Sequence, residues 1–453
     1  MKTIIPATGL VSKASGKQAF ESDTAYRFNK HCMLLQCEEG TLLYHTLSDM
    51  LVLLENGEGV EDCKEALVNQ WFLVPEHFDE CSYANQIKKI AKLLVSRKKS
   101  HVTHFTILTT TDCNARCFYC YEMGMKRIPM SAETARDVAE YTSRACGGES
   151  VKFRWFGGEP LYNMQAIDVI CNHHRAKGID YESQMTTNGY YLTPEVSRKA
   201  VNDWHLNQVQ ITLDGTEKIY NRTKAYIDAD KNPYLRVLNN IDAALDAGIN
   251  VMVRMNMDAR NAEDLSLLID ILIERYEDKK GFIAYVAPLL EFVGSIHTFD
   301  SDAQAVDTYL KLVDKLRKHG MLRKSNLTRG IALNHCMADN DICEVILPDG
   351  RTGRCQHFRE EIITGDVYHT DRDTSVVNAW KERLVISECA ECVLYPTCSR
   401  LKMCEWYKEG CTDMIRQIWI DGVKHQIMGA YRRVKEGGTI DETETKLYTD
   451  GAW

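Results

Sequence analysis

Long apolar runs are missing from this sequence. No stretch approaches the roughly 18 consecutive apolar residues that a membrane-spanning helix needs. The first residues, MKTIIPATGLVSKASGK, include basic side chains but not the apolar core of a secretory signal. Positive charge is also in deficit, because 55 basic and 64 acidic residues give a net charge of −9. We therefore expect a cytoplasmic protein with no membrane or nucleic-acid partner.

Internal repeats and low-complexity tracts are absent from the sequence as well. With 453 residues, of which 44% are hydrophobic and 26% charged, the composition is typical of a soluble globular protein. A chain of this length has room for two to four domains.

Cysteine is the residue that is plentiful, and its distribution is uneven. There are 17 cysteines, and none lies between residues 172 and 335. An odd number in a large chain without an export signal favours metal or iron–sulfur ligation over disulfides. The distribution separates an N-terminal module, a middle part with one tight trio, and a cysteine-dense C-terminal part.

The middle of the chain alternates between strand-like and helix-like segments. Such alternation predicts a parallel sheet with right-handed crossovers, in the form of an α/β barrel. Polar or glycine-rich tripeptides follow four of the strands, and in such barrels these positions share one rim. Each could also be an ordinary turn. The predicted strands are His101–Thr109, Val151–Phe156, Glu182–Thr186, Gln208–Leu213, Asn250–Asn256 and Phe282–Ala287.

The trio Cys113, Cys117 and Cys120 has the spacing C-x3-C-x2-C, directly after the first predicted strand. Three thiolates on one short loop can hold three irons of a [4Fe–4S] cluster and leave the fourth iron open. A structural zinc site is the alternative, but zinc needs a fourth nearby ligand. The trio therefore favours an iron–sulfur cluster with an open iron.

The trio is accompanied by four further motifs: Phe156-Gly157-Gly158-Glu159-Pro160, Thr186-Thr187-Asn188-Gly189, Thr212-Leu213-Asp214-Gly215 and Val253-Arg254-Met255-Asn256. In the trio and these motifs the chain resembles the radical S-adenosylmethionine enzymes, over about residues 100–410. The resemblance implies that S-adenosylmethionine binds the open iron and is cleaved to a radical that abstracts a hydrogen atom from the substrate. It also implies an electron donor such as flavodoxin or ferredoxin. The implied cofactor contacts are Tyr119, Gly157, Gly158, Glu159, Asn188, Thr212, Asp214 and Arg254.

The C-terminal cysteines resemble those of the SPASM domain, which carries two auxiliary [4Fe–4S] clusters. The resemblance assigns Cys336, Cys343, Cys355 and Cys404 to the first cluster, and Cys389, Cys392, Cys398 and Cys411 to the second. The spacings around the last two ligands depart from the usual pattern, so their assignment stays open, and Cys343 is either a ligand or a bystander. Zinc ribbons are the alternative.

The N-terminal part predicts two strands, Tyr26–Gln36 and Thr41–Leu54, followed by helices at Glu61–Leu73 and Tyr83–Lys98. This order resembles the winged-helix modules that recognise the leaders of ribosomally made peptides by adding a strand. A plain packing domain is the alternative. The predicted fold is thus an α+β module at 1–98, a partial (β/α)6 barrel at 99–325 and a SPASM domain at 326–453.

The resemblance implies a peptide maturase that acts on a leader-bearing precursor and installs a cross-link, with a thioether as the first choice. Carbon–carbon cross-linking and epimerisation are alternatives. A sulfatase-maturing enzyme is another, although such enzymes carry an Asp where this chain has Gln356. A non-enzymatic electron carrier would not need the cofactor motifs. Glu122 and Asp214 are the weak candidates for catalytic side chains.

Overall fold

The computed structural model divides the chain into two compact units. The sheet unit contains residues 1–99, 324–340 and 383–453, and the barrel unit contains residues 100–323 and 341–382. No helix among the described residues is both long and apolar enough to cross a membrane. The described residues are 1–7, 18–95, 101–227, 231–289, 299–322, 336–357, 362–369, 371–382, 389, 391–395, 397–398 and 413–438.

The described elements alternate between strands and helices through most of the barrel unit. The strands are β1 (Lys2–Ile5), β2 (Tyr26–Phe28), β3 (Cys32–Cys37), β4 (Gly40–His45), β5 (Met50–Glu55), β6 (Leu73–Pro75), β7 (His104–Thr110), β8 (Val151–Gly157), β9 (Tyr181–Thr187), β10 (Leu206–Thr212), β11 (Asn250–Met257), β12 (Phe282–Pro288), β13 (Cys343–Ile346), β14 (Arg351–Gly353) and β15 (Ile363–Asp366). The α-helices are α1 (Lys64–Asn69), α2 (Glu80–Val95), α3 (Ala132–Ala145), α4 (Met164–Ala176), α5 (Pro194–Trp204), α6 (Glu217–Lys224), α7 (Pro233–Asp246), α8 (Ala262–Tyr276), α9 (Asp302–Lys318), α10 (Thr374–Glu382) and α11 (Asp413–Lys435).

The sheet unit is built on a four-stranded antiparallel sheet in the order β1-β5-β4-β3. One face packs Leu42, Tyr44 and Leu51 against Val423 and Ile427 of α11. The other face is covered by α1 and by the segment leading into β6. Because successive side chains of a strand point to opposite faces, both sets of apolar residues in β4 and β5 are buried.

The boundaries of the strands and helices in the N-terminal part differ from the predicted ones. The predicted strand at Thr41–Leu54 is a hairpin, β4 and β5, that turns through Asp49 in the left-handed conformation (φ 55°). The predicted helix at Glu61–Leu73 is a 3₁₀ turn followed by α1, and it ends before β6. The predicted end of the next helix, beyond Val95, lies outside the described residues.

The barrel unit contains the predicted six parallel strands, and each one lies beside the strand before it in the chain, from β7 to β12. The sheet continues beyond β7 with parallel β13 and then antiparallel β14 and β15. The apolar core lies between the strands and the surrounding helices and includes the fully buried Phe153 and Trp155. The alternate side chains, such as Arg154, therefore line the opposite, concave face of the sheet.

Several helices of the barrel unit begin at residues whose side chains accept hydrogen bonds from free backbone N–H groups, and one of them is followed by a glycine that turns the chain. The Ser131 hydroxyl accepts a hydrogen bond from the Thr134 N–H (3.0 Å) at the start of α3. The Thr193 hydroxyl caps α5 in the same way, and Pro194 occupies its first position. After α7 the chain turns through Gly248 with φ 89°, which ordinary residues rarely adopt. These short connections return the chain to the next parallel strand.

Candidate active site

The sequence motifs come together at the carboxyl ends of neighbouring strands. The cysteine trio follows β7, Gly158 and Glu159 follow β8, Asn188 follows β9, and Asp214 follows β10. Because these strands are parallel and adjacent in the sheet, the motifs share one rim of the barrel.

The thiols of the trio are close enough to influence one another. Burial, the Glu159 carboxylate and the neighbouring thiols Cys117 and Cys120 raise the pKa of Cys113 to about 12. Burial and the Glu122 carboxylate raise the pKa of Cys120 to about 11. No group of three His, Cys, Asp or Glu side chains in the described part of the chain has ligating geometry. A bound cation deprotonates such thiols, so cluster binding would release protons.

The two glycines after β8 let its backbone approach the segment that leads into the trio. The Gly158 N–H donates to the Thr110 carbonyl (3.0 Å), and the Glu159 N–H donates to the Asp112 carbonyl (2.9 Å). A Cβ atom on Gly158 would lie 2.2 Å from the Asp112 oxygen, and one on Gly157 (φ 111°) would lie 2.1 Å from the Thr110 oxygen. Glycine is therefore required at both positions for this close backbone contact.

The Glu159 side chain is fully buried and links the ends of two strands. Its Oε1 atom accepts hydrogen bonds from the Thr187 hydroxyl (2.7 Å) and the Leu161 N–H (3.1 Å). Its Oε2 atom accepts one from the Asn188 N–H (2.8 Å). Burial raises the pKa of Glu159 to about 7, although these hydrogen bonds oppose the rise. Acceptor capacity remains on Oε2 for one further donor.

Asp214 is also fully buried, and both of its carboxylate oxygens have protein partners. Oδ1 accepts a hydrogen bond from the Asn256 N–H (3.0 Å). Oδ2 accepts one from the Tyr119 hydroxyl (2.5 Å) and forms an ion pair with the Lys224 ammonium (3.1 Å). Tyr119 and Asp214, both predicted to contact S-adenosylmethionine, thus bind each other. The sequence analysis missed Lys224, because a lysine at the end of a short polar helix resembles a solvated surface residue.

Asn188, Thr212 and Arg254 lie at the same rim. The Asn188 side-chain amide donates to Asn114 (2.7 Å) and lies 3.8 Å from the Cys113 sulfur. Thr212 and Arg254 are paired in register on β10 and β11. The Arg254 Nε donates to Asn256 (2.8 Å). Asn188 is therefore placed to orient the trio loop.

The concave face of the sheet is polar. The Tyr285 hydroxyl on β12 donates to the Gln210 side chain on β10 (2.9 Å) and so crosses β11. Burial and the guanidinium charge of Arg254 both lower the pKa of Arg154 on this face. An interior with two guanidinium groups and several amides suits a polar substrate.

Glu122, a weak catalytic candidate, lies at the end of the trio loop. It accepts a hydrogen bond from the Tyr121 hydroxyl (3.2 Å), and burial raises its pKa to about 7. The Tyr121 ring contacts the His357 ring, with 4.1 Å between their centroids. Burial, together with Arg254 and Arg154, lowers the pKa of His357 to about 4.

The described C-terminal cysteines fall in both units. Cys336, Cys389, Cys392 and Cys398 belong to the sheet unit, and Cys343 and Cys355 belong to the barrel unit. The Cys392 N–H donates to the Cys389 carbonyl (3.0 Å), which closes a tight turn between these two thiols. No two cysteines of the described residues form a disulfide. Cys404 and Cys411 lie outside the described residues.

Comparison with known proteins identifies the central part of the chain. Residues 107–272 match the sequence profile of the Radical SAM superfamily. This chain contains a radical SAM domain. It is therefore an enzyme whose chemistry uses S-adenosylmethionine and a [4Fe–4S] cluster. The three thiols at the rim, the glycine-dependent backbone contact and the remaining acceptor on Glu159 suit these two groups.

The radical SAM domain has relatives of differing function. A probable GTP 3′,8-cyclase of Archaeoglobus fulgidus is 24% identical in an alignment 277 residues long, which covers 58% of this chain and 83% of that protein. The solved structure of anSMEcpe with bound AdoMet has a TM-score of 0.58 at 14% identity and covers 76% of this chain and 98% of its own. Streptococcus suis SuiB bound to the precursor peptide SuiA has a TM-score of 0.52 at 13% identity and covers 86% and 98%. The fold thus resembles that of enzymes solved with AdoMet or with a peptide.

Proposed function

We propose that this radical SAM enzyme is a peptide maturase that installs a cross-link, a thioether in the first instance, in a ribosomally made precursor peptide. The observation that carries the proposal is the antiparallel sheet outside the radical SAM domain. Its edge strand β3 pairs only with β4 within the described residues. An edge strand of this kind can accept an extended peptide as a further strand. SuiB, which matches 86% of this chain in fold, is known with its precursor peptide bound.

In this proposal, different residues of the chain have different roles. When bound, S-adenosylmethionine and the cluster at the trio supply radical chemistry that removes a hydrogen atom from the substrate. Glu159 holds the ends of β8 and β9 together beside that site. The polar concave face, with Arg154 and Tyr285, receives the part of the peptide that is modified. The eight C-terminal cysteines hold two auxiliary [4Fe–4S] clusters, and a flavodoxin or ferredoxin supplies electrons.

A GTP 3′,8-cyclase is the second candidate, because several of the sequence relatives carry that name. The similarity to the Archaeoglobus fulgidus protein covers 58% of this chain, whereas the fold of SuiB covers 86%. If the chain were a cyclase, the part of it outside this similarity would have no counterpart in the cyclase relative. A sulfatase-maturing role is less well supported, because the Gln356 amide cannot act as the base that an Asp would provide.

Co-expression tests the proposal directly. The chain is expressed with each short cysteine-containing reading frame found beside its gene, and the peptides are analysed by tandem mass spectrometry. We expect a peptide that has lost two hydrogen atoms and whose fragments show a cysteine linked to another residue. The Cys113→Ala variant is the inactive control, and Cys146→Ala, which alters a buried core cysteine, is the matched active control. Conversion of GTP by the purified enzyme, with all peptides unchanged, would establish the cyclase instead.

A further inference from the structure

Lys224 is a buried cation beside the cysteine trio. The residue is 2% exposed and lies at the end of α6. Its ammonium forms an ion pair with Asp214 (3.1 Å) and donates to the Tyr119 hydroxyl (3.0 Å). Burial opposes the charge, but the Asp214 carboxylate, Tyr119 and the Cys117 thiol together raise the pKa of Lys224 well above its usual value. The contacts with Asp214 and Tyr119 therefore favour the charged form of the lysine.

The backbone around Lys224 also holds the trio loop. The Lys224 carbonyl accepts a hydrogen bond from the Arg116 N–H (2.7 Å), and the Ile227 N–H donates to the Asn114 carbonyl (2.9 Å). Ala225 between them adopts the left-handed conformation (φ 44°) that lets the chain leave α6 alongside the loop. The side chain and the backbone of Lys224 thus act on the same loop.

We propose that Lys224 is a positioning residue that places a fixed positive charge beside Cys117 and, with Asp214, sets the reduction potential of the cluster held by the trio. The two buried charges have opposite signs and form an ion pair with each other (3.1 Å). In a poorly solvated interior, a nearby cation favours the reduced, more negative cluster, and a nearby anion disfavours it. The inference depends on the radical SAM site and holds whichever substrate the enzyme takes.

A redox titration monitored by electron paramagnetic resonance tests the proposal. The reconstituted enzyme is titrated with dithionite and mediators, so that one electron enters the cluster and no bond breaks. The change in the spectrum on adding S-adenosylmethionine identifies the cluster at the trio. The variants are Lys224→Met, Asp214→Asn and the double variant. The control is Lys199→Met, which removes a lysine ion-paired with Asp168 on the outer helices.

The two single variants are expected to shift the potential in opposite directions. Lys224→Met should lower the equilibrium constant for reduction about tenfold, equivalent to about 59 mV for one electron. Asp214→Asn should raise the potential, the double variant should lie between the two, and Lys199→Met should match the wild type. Shifts in the same direction, or none, in variants with full iron content would overturn the proposal. If Lys224→Met does not load iron, the test is the comparison of Asp214→Asn with the wild type, where Asp214→Asn must have the higher potential and an equal potential refutes the role of the buried charge pair.

Discussion

At the level of single residues, Glu159 and Asp214 show what the sequence motifs predict about the site and what they do not. The sequence indicates which residues lie at the rim, because polar motifs at strand ends gather there in any parallel barrel. It does not indicate which partner each carboxylate takes. That choice depends on Thr187 and Lys224, which reach the site from other elements.

Replacement of Glu159 by Gln should weaken the site in two ways. The Gln side chain presents an NH2 group to donors, so it cannot accept all three hydrogen bonds from Thr187, Leu161 and Asn188. Losing a charge-assisted hydrogen bond costs about 1.5–3 kcal/mol. We expect a roughly ten- to hundredfold loss of S-adenosylmethionine affinity by calorimetry, together with a lower melting temperature.

The control for this prediction is Glu195→Gln, an exposed carboxylate on α5. It should leave both the affinity and the melting temperature unchanged. Unaltered cofactor affinity in a folded Glu159→Gln variant would show that this carboxylate only links the strands.

At the scale of secondary structure, the strands of the barrel were predictable and the N-terminal turns were not. The barrel strands are β-branched apolar runs, and the segments that flank them have helical periodicity. Both patterns therefore predict the same division into strands and helices. The hairpin between β4 and β5 turns without glycine, proline or asparagine, so the pattern indicates one long strand. Asp49 adopts the left-handed conformation instead, and the Tyr44 hydroxyl donates to its carboxylate (2.6 Å).

The edge strand β3 provides a test of leader recognition. Leu34 on β3 is 47% exposed, and the opposite edge strand β1 exposes Lys2 and Thr3 instead. We expect Leu34→Asp to reduce the affinity for a labelled precursor peptide about tenfold, since aspartate disfavours strand pairing and removes apolar contact. Fluorescence anisotropy measures this change.

Thr3→Asp is the matched variant at the other edge and should bind the precursor normally. Proline in the paired part of the leader should abolish binding, because it lacks the N–H that strand addition needs. If Leu34→Asp and Thr3→Asp weakened precursor binding equally, the leader would not bind at the β3 edge.

The sheet unit should lose stability in mild acid because of His31. This ring is fully buried. Burial lowers its pKa to about 4, so between about pH 6.5 and 4 the unfolded chain takes up a proton that the folded chain excludes. Stability should therefore fall as the pH drops through this window, by roughly 3 kcal/mol in all.

His31→Phe should reduce this acid dependence, while burial of His45, whose pKa is lowered to about 3, keeps part of it. The variant should also have a higher melting temperature at pH 5 than the parent. His77→Gln, which changes an exposed histidine of the same unit, should leave the dependence intact. An unchanged acid profile in His31→Phe would assign the acid sensitivity to other groups.

At the scale of the whole molecule, the C-terminal segment predicted as one domain is divided between the two units. Residues 341–382 belong to the barrel unit, where β13 pairs with β7, and residues 383–453 belong to the sheet unit. Sequence patterns describe neighbours along the chain, so they cannot indicate that a short strand far downstream extends an earlier sheet. The boundary after residue 98 differs from the observed division by one residue.

Three [4Fe–4S] clusters should be present in the whole enzyme. The trio and the eight C-terminal cysteines give eleven thiols, enough for one three-ligand and two four-ligand clusters. Anaerobic reconstitution should therefore yield about twelve irons per chain by elemental analysis. Replacing the trio by alanine should remove about a third of this iron. A content near four irons together with bound zinc would show that the C-terminal cysteines form zinc sites.

The packing of α11 against the N-terminal sheet also bears on how the protein is made. Leu42, Tyr44 and Leu51 leave the ribosome hundreds of residues before the helix that covers them. During that interval an apolar sheet face and the β3 edge are exposed together, which is the condition under which nascent chains associate. The sheet unit can therefore be completed only after α11 has been synthesised.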